Sequence, residues 1–66
     1  MSDREPGVIA AIQAAGGINA LARALRIDAA AVSRWRQIPS RRVIQIEQSL
    51  GVRREILRPD LYIEAA

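Results

Sequence analysis

Sixty-six residues make one small domain at most, spanning 1–66, and leave little interior to bury. Cys and His are both absent, so disulfides, thiolate metal sites and the usual nucleophile–base pairs are excluded, and neither an enzyme nor a cofactor is expected. The net charge is +3, with one Trp, one Tyr and no Phe, so the core must be aliphatic.

No apolar run approaches the roughly 20 residues of a membrane span. The opening Met1-Ser2-Asp3-Arg4-Glu5-Pro6 lacks the basic-then-apolar order of a signal peptide. A soluble, cytoplasmic protein is therefore expected.

Apolar spacing is helical almost throughout, and no stretch alternates with period two, so the fold class is all-α. Val8, Ile9, Ile12 and Ala15 give one face of a first helix over 5–15, with Pro6 in its first turn and Gly16-Gly17 at its end. Ile18, Leu21, Ala22 and Leu25 give a second helix over 18–25. Asp28 suits the N-cap of a third over 29–36, with Val32 and Trp35 inward. Pro39-Ser40 opens a fourth over 40–49, with Val43, Ile46 and Leu50 inward and Gly51 as its C-cap. Residues 53–57 form one further turn, broken at Arg58-Pro59-Asp60. Four to five helices in one compact domain result.

The second and third helices meet across a three- to four-residue turn, which describes a helix-turn-helix over 18–37. Counted from Ile18, the six positions of that motif that must be apolar or small are Leu21, Ala22, Leu25, Ile27, Val32 and Trp35. All six fit. The misfit is Arg26, where a positive φ normally calls for Gly; a side chain there costs roughly 1 kcal/mol.

Charge is unevenly distributed. Residues 1–22 and 43–66 each sum to −1, whereas 23–42 set six arginines against Asp28 alone, +5. Such a segment calls for an anionic partner, a phosphate backbone first among them. The outward stripe of the third helix is Ala29, Ala30, Ser33, Arg34 and Gln37, the candidates for contacts to base edges in a major groove. Arg34 suits paired hydrogen bonds to guanine, and the alanines offer methyl contacts only. Candidate phosphate anchors are Asn19 and Arg23 on the second helix, Arg36, and Ser40, Arg41 and Arg42 in the first turn of the fourth. Glu47 reads as an ion-pair or solvated residue, and Arg58 with Asp60 as a structural pair around Pro59. Leu57, Leu61, Tyr62 and Ile63 either close the core or form a dimer seam.

From Ile18 to Gln37 the chain resembles the Cro and repressor class of phage helix-turn-helix regulators. Leu21-Ala22-Arg23-Ala24-Leu25, Val32-Ser33-Arg34-Trp35, Ile38-Pro39, Arg42-Val43, Ile46-Glu47, Gly51 and Arg58-Pro59-Asp60-Leu61-Tyr62 look more particularly like the YdaS-like, Cro-type family. The likeness covers nearly all of residues 8–62. It implies a helical DNA-binding domain, often prophage-encoded, that regulates transcription or belongs to a toxin–antitoxin-like pair. Family members tend to carry polar residues at Ala29 and Ala30 and Gly at Arg26.

The expectation is thus a bacterial, nucleoid-associated regulator that binds double-stranded DNA with sequence preference, as a homodimer on a two-fold operator. No membrane or small-molecule partner is expected. The alternative is an antitoxin-like or adaptor module whose basic face binds an acidic protein.

Overall fold

The computed structural model describes residues 3–63, so Met1, Ser2 and 64–66 at the ends of the expected domain lie outside it. Over that span the chain forms α1 (Pro6–Ala15), α2 (Ile18–Leu25), α3 (Ala29–Ser33), a 3-10 turn (Ser40–Arg42), α4 (Val43–Leu50) and α5 (Arg54–Leu57). There is no strand among the described residues. Its radius of gyration, 11.1 Å, is that of a packed chain, for which about 11 Å is expected at this length.

Each helix stops where local chemistry says it should, with one exception. Gly16 takes the left-handed conformation (φ 97°) and returns its N–H to the Gln13 and Ile12 carbonyls, ending α1. The chain then turns sharply, and α1 and α2 meet at 84°. Gly51, at φ 74°, ends α4 in the same way.

The exception is α3, expected over 29–36 but ended at Ser33. Arg34 and Trp35 donate to the carbonyls three residues back, Ala31 (3.2 Å) and Val32 (3.1 Å), the tightened pattern of a final turn. Beyond them Ile38 is fully buried, and Pro39 disfavours helical backbone in the residue before it. Swinging Ile38 into the core and continuing the helix are incompatible, and burial prevails. The fourth helix begins with the 3-10 turn rather than with α-helix at residue 40.

The core is aliphatic: Val8, Ala11, Leu21, Ala22, Leu25, Val32, Ile38, Val43, Ile46 and Leu57 are buried, with Trp35, Ile27, Leu50 and Tyr62 packed around them. Two positions depart from the sequence pattern. Ile9 is 37% exposed, and Ala11 takes its inward place. The buried stripe of α1 is therefore Val8, Ala11, Ile12 and Ala15, the i, i+3, i+4, i+7 spacing of a single helix face. A small residue there lets α5 come close. Gly7 lies so near α5 that a Cβ would overlap the Leu57 carbonyl, with the Leu57 Cα at 2.9 Å. Leu57 is only 1% exposed, so of the four residues between core and seam it belongs to the core.

Two arginine–carboxylate pairs fix the C-terminal third. Glu47 accepts from the Arg54 backbone N–H (2.8 Å), Nε (3.1 Å) and the terminal guanidinium nitrogen (2.7 Å), which caps α5 and ties it to α4. The Arg54 guanidinium also lies 5.6 Å from the centroid of the Tyr62 ring. Arg58 is nearly buried, and each of its three guanidinium nitrogens donates a hydrogen bond, in a fork on Asp60 (2.9 and 2.7 Å) and a bond to the Ile38 carbonyl (2.8 Å). Both expected pairings are present.

Replacing Gly7 by Ala forces α1 and α5 apart. Overpacking of this kind costs about 1–3 kcal/mol, and thermal melting should fall by about 4–8 °C for each of those kilocalories. Hydrogen bonds from Arg54 hold the Glu47 carboxyl below its ordinary range, and those from Arg58 do the same for Asp60. Each carboxyl thus binds its proton less readily folded than unfolded, so the stability it supplies is complete above the ordinary carboxylate pKa. That contribution is lost as pH falls through the lowered value. Glu47→Gln should lower the melting temperature at neutral pH and converge with the parent protein in strong acid; a constant difference across pH would contradict this.

Candidate nucleic-acid interface

The segment 18–37 folds as a helix-turn-helix. Leu21, Ala22, Leu25 and Val32 are buried between α2 and α3, and Ile27 and Trp35 pack at the edges of the same core. Arg26 occupies the tight corner with φ 59° and ψ 46°, the only non-glycine residue with positive φ among those described. Its N–H reaches the Arg23 carbonyl at 3.2 Å, and that of Ile27 reaches Ala22 at 2.9 Å, closing α2 as a glycine would. Asp28 stands at the N-cap of α3 with extended backbone, and its main-chain carbonyl rather than its side chain starts the helix.

Of the five expected base-reading residues, Ala30, Ser33, Arg34 and Gln37 are exposed, whereas Ala29 is half-buried against the core. The reading face is narrower than the stripe drawn on a longer helix. It comprises one turn of α3 and the irregular residues after it. Arg34 folds back so that Nε donates to the Ala30 carbonyl at 3.2 Å. That bond places a cation at the negative end of α3 and orients the guanidinium. Its two terminal nitrogens make no hydrogen bond among the described residues.

Of the six expected phosphate anchors, Asn19, Arg23, Arg36, Ser40 and Arg41 are exposed and Arg42 is half-buried. Asn19 lies in the first turn of α2, where backbone N–H groups have no helical partner. Ser40, Arg41 and Arg42 form the 3-10 turn that opens α4. Arg42 is held by Gln45 Oε1 at 2.9 Å. No ion pair engages Arg23, Arg26, Arg34, Arg36 or Arg41 among the described residues. The carboxylates instead serve Arg53, Arg54 and Arg58, so pairing sits in the C-terminal third and excess charge in the middle.

Two residues that the sequence did not mark also reach this region. Arg4 donates to the Ser33 carbonyl at 3.2 Å, and the Glu5 carboxylate accepts from Gln37 Nε2 at 2.8 Å. The Glu5 N–H takes the Arg36 carbonyl at 2.7 Å. These contacts span about thirty residues of sequence, and no short-range pattern signals them.

The geometry defines a small all-helical domain built on a helix-turn-helix. The chain belongs to the family described as bacterial toxin YdaS, whose model matches residues 8–66. No curated protein and no solved structure gives a significant match. No single helix among the described residues is long and apolar enough to cross a membrane.

Because Arg26 carries a side chain through a conformation that suits glycine, Arg26→Gly should relieve about 1 kcal/mol. Thermal melting should rise by a few degrees, and Arg26→Val should lower it. An unchanged or lower midpoint for Arg26→Gly would show that the corner is not strained.

Proposed function

We propose that the protein is a Cro-like, sequence-preferring DNA-binding regulator that presents α3 to the major groove and acts by occupying its site rather than by catalysis. The observation that carries this reading is an outward α3 in a stretch, residues 23–41, where Arg23, Arg26, Arg34, Arg36 and Arg41 have no carboxylate partner among the described residues. Leaving these guanidinium groups without a carboxylate, while the ion pairs among the described residues form in the C-terminal third, suits a polyanion supplied from outside. Membership of the YdaS family is compatible with a phage-related bacterial regulator.

Roles divide by chemistry. Arg34, with Ser33 and Gln37 beside it, reads bases; Ala30 and Ala29 contribute at most methyl contacts. Asn19, Arg23, Arg36, Ser40, Arg41 and Arg42 hold phosphates and set register without reading sequence. One short recognition helix makes few contacts, so the unit acts as a homodimer on a two-fold operator, with half-sites about 34 Å apart. Of the candidate seam residues, Leu61 and Ile63 are 48% and 84% exposed and available to a dimer seam, with Tyr62 already packed on the core.

The second reading is a helical adaptor or antitoxin-like module whose basic face binds an acidic protein, within a family that carries the name toxin. It is favoured by the narrowness of the reading face, where Ala29 is half-buried and Ala30 has no polar atom to offer. Salt dependence on DNA separates the two.

With about five phosphates neutralised per subunit, log affinity should fall against log salt with a slope near −4 to −5. Arg41→Ala should weaken binding to all sequences alike and reduce that slope by about 1, whereas Arg34→Ala should flatten preference at one base position, worth about 1–3 kcal/mol. Anisotropy titrations on random and selected duplexes measure both. Absence of salt-dependent binding would favour the adaptor, and equal losses with unaltered preference would overturn the division of roles.

A further inference from the structure

Gln37 is exposed beside the end of α3, and its amide is not free to choose its orientation. Nε2 donates to Glu5 Oε2 at 2.8 Å. A carboxylate only accepts, so the NH2 group must face Glu5 and Oε1 must face away. Glu5 itself is immobilised from several sides. It precedes Pro6, which confines it to extended backbone, and it has φ −68° and ψ 155°. Its N–H binds the Arg36 carbonyl at 2.7 Å, and its carbonyl accepts from Val8 and Ile9 at 3.0 and 3.3 Å. Arg4, one residue earlier, is fastened to the Ser33 carbonyl at 3.2 Å.

The arrangement has a chemical consequence for what Gln37 can recognise. One amide hydrogen is spent on Glu5; the other hydrogen and Oε1 remain as an adjacent donor and acceptor. Adenine offers the complementary pair in the major groove, an acceptor at N7 and a donor at N6, whereas guanine offers two acceptors and would set O6 against Oε1. A phosphate is also a poor partner, because the Glu5 carboxylate stands beside the amide and repels it. Gln37 is therefore suited to a base edge, not the backbone.

We propose that Glu5 is a positioning residue that holds the Gln37 amide in the orientation that selects adenine. The inference rests on the DNA-binding reading and refines it. Glu5 touches no base; it acts only through Gln37.

The test is selection from a random duplex pool by the wild-type chain, Gln37→Ala, Glu5→Gln and the double variant, with thermal melting of each. Glu5→Gln preserves the backbone bond to Arg36 but lets residue 5 donate as well as accept, so the Gln37 amide can invert. The wild-type chain should show one position where adenine is enriched over guanine about fivefold or more, the lower end for a paired contact. Gln37→Ala should abolish that enrichment, and Glu5→Gln should reduce it severalfold while leaving the Arg34-dependent position intact. In the Gln37→Ala background, Glu5→Gln should change no base preference. Unaltered enrichment in Glu5→Gln, no adenine position that depends on Gln37, or a further change of preference in the double variant would each overturn the positioning role alone. Failure of the wild-type chain to enrich any duplex would overturn the DNA-binding reading beneath it.

Discussion

The backbone of residues 34–39 belongs to no regular helix, and the fold depends on what takes its carbonyl groups. Arg36 gives its carbonyl to the Glu5 N–H, and Ile38 gives its own to the Arg58 guanidinium. One donor comes from the start of the chain and the other from near its end. A buried carbonyl without a donor would cost about 1–3 kcal/mol, so the bond to Ile38 offsets the cost of drawing that residue inward, and the bond to Arg36 ties the linker to the start of the chain. Once they form, Ile38 can fill the centre of the core and α3 can stop after five residues.

A short α3 is what gives the candidate surface its present shape. Its single turn carries Ala30 and Ser33 outward, and Arg34 to Gln37 continue the surface as irregular chain. Arg58 is the unusual partner in this scheme, because a charge so nearly buried is expensive unless fully satisfied. Its bidentate contact with Asp60 supplies the opposite charge, and the Ile38 carbonyl accepts from its third nitrogen. The Leu-Arg-Pro-Asp-Leu-Tyr string at residues 57–62 thus acts as a clasp: Leu57 closes the core, Arg58 grips the linker, and Tyr62 lies under Arg54.

The helix-turn-helix was legible in the sequence because its determinants are local. Leu21, Ala22, Leu25, Ile27, Val32 and Trp35 fall within fifteen residues, and periodicity alone places them inward. The left-handed corner at Arg26 followed from the same register and is present. What could not be read is nonlocal. The end of α3 is set by burial of Ile38 and by bonds from Glu5 and Arg58, so the apolar spacing of Val32 and Trp35 overstated its length. Ile9 and Ala11 exchange roles because α5 approaches at Gly7, a closeness visible only once both helices are placed. The candidate site divides along the same line. Exposure of Ser33, Arg34 and the flanking arginines followed from helix phase, whereas Arg4 on Ser33 and Glu5 on Gln37 depend on tertiary folding.

Every basic side chain is arginine, including the five over residues 23–41 that no carboxylate engages among the described residues. Guanidinium is a permanent cation under cellular conditions. The chain offers no imidazole to titrate and no ε-amino group to acetylate. Lysine acetylation and imidazole titration, two common means of changing the charge of a basic patch, therefore have no grip on this one.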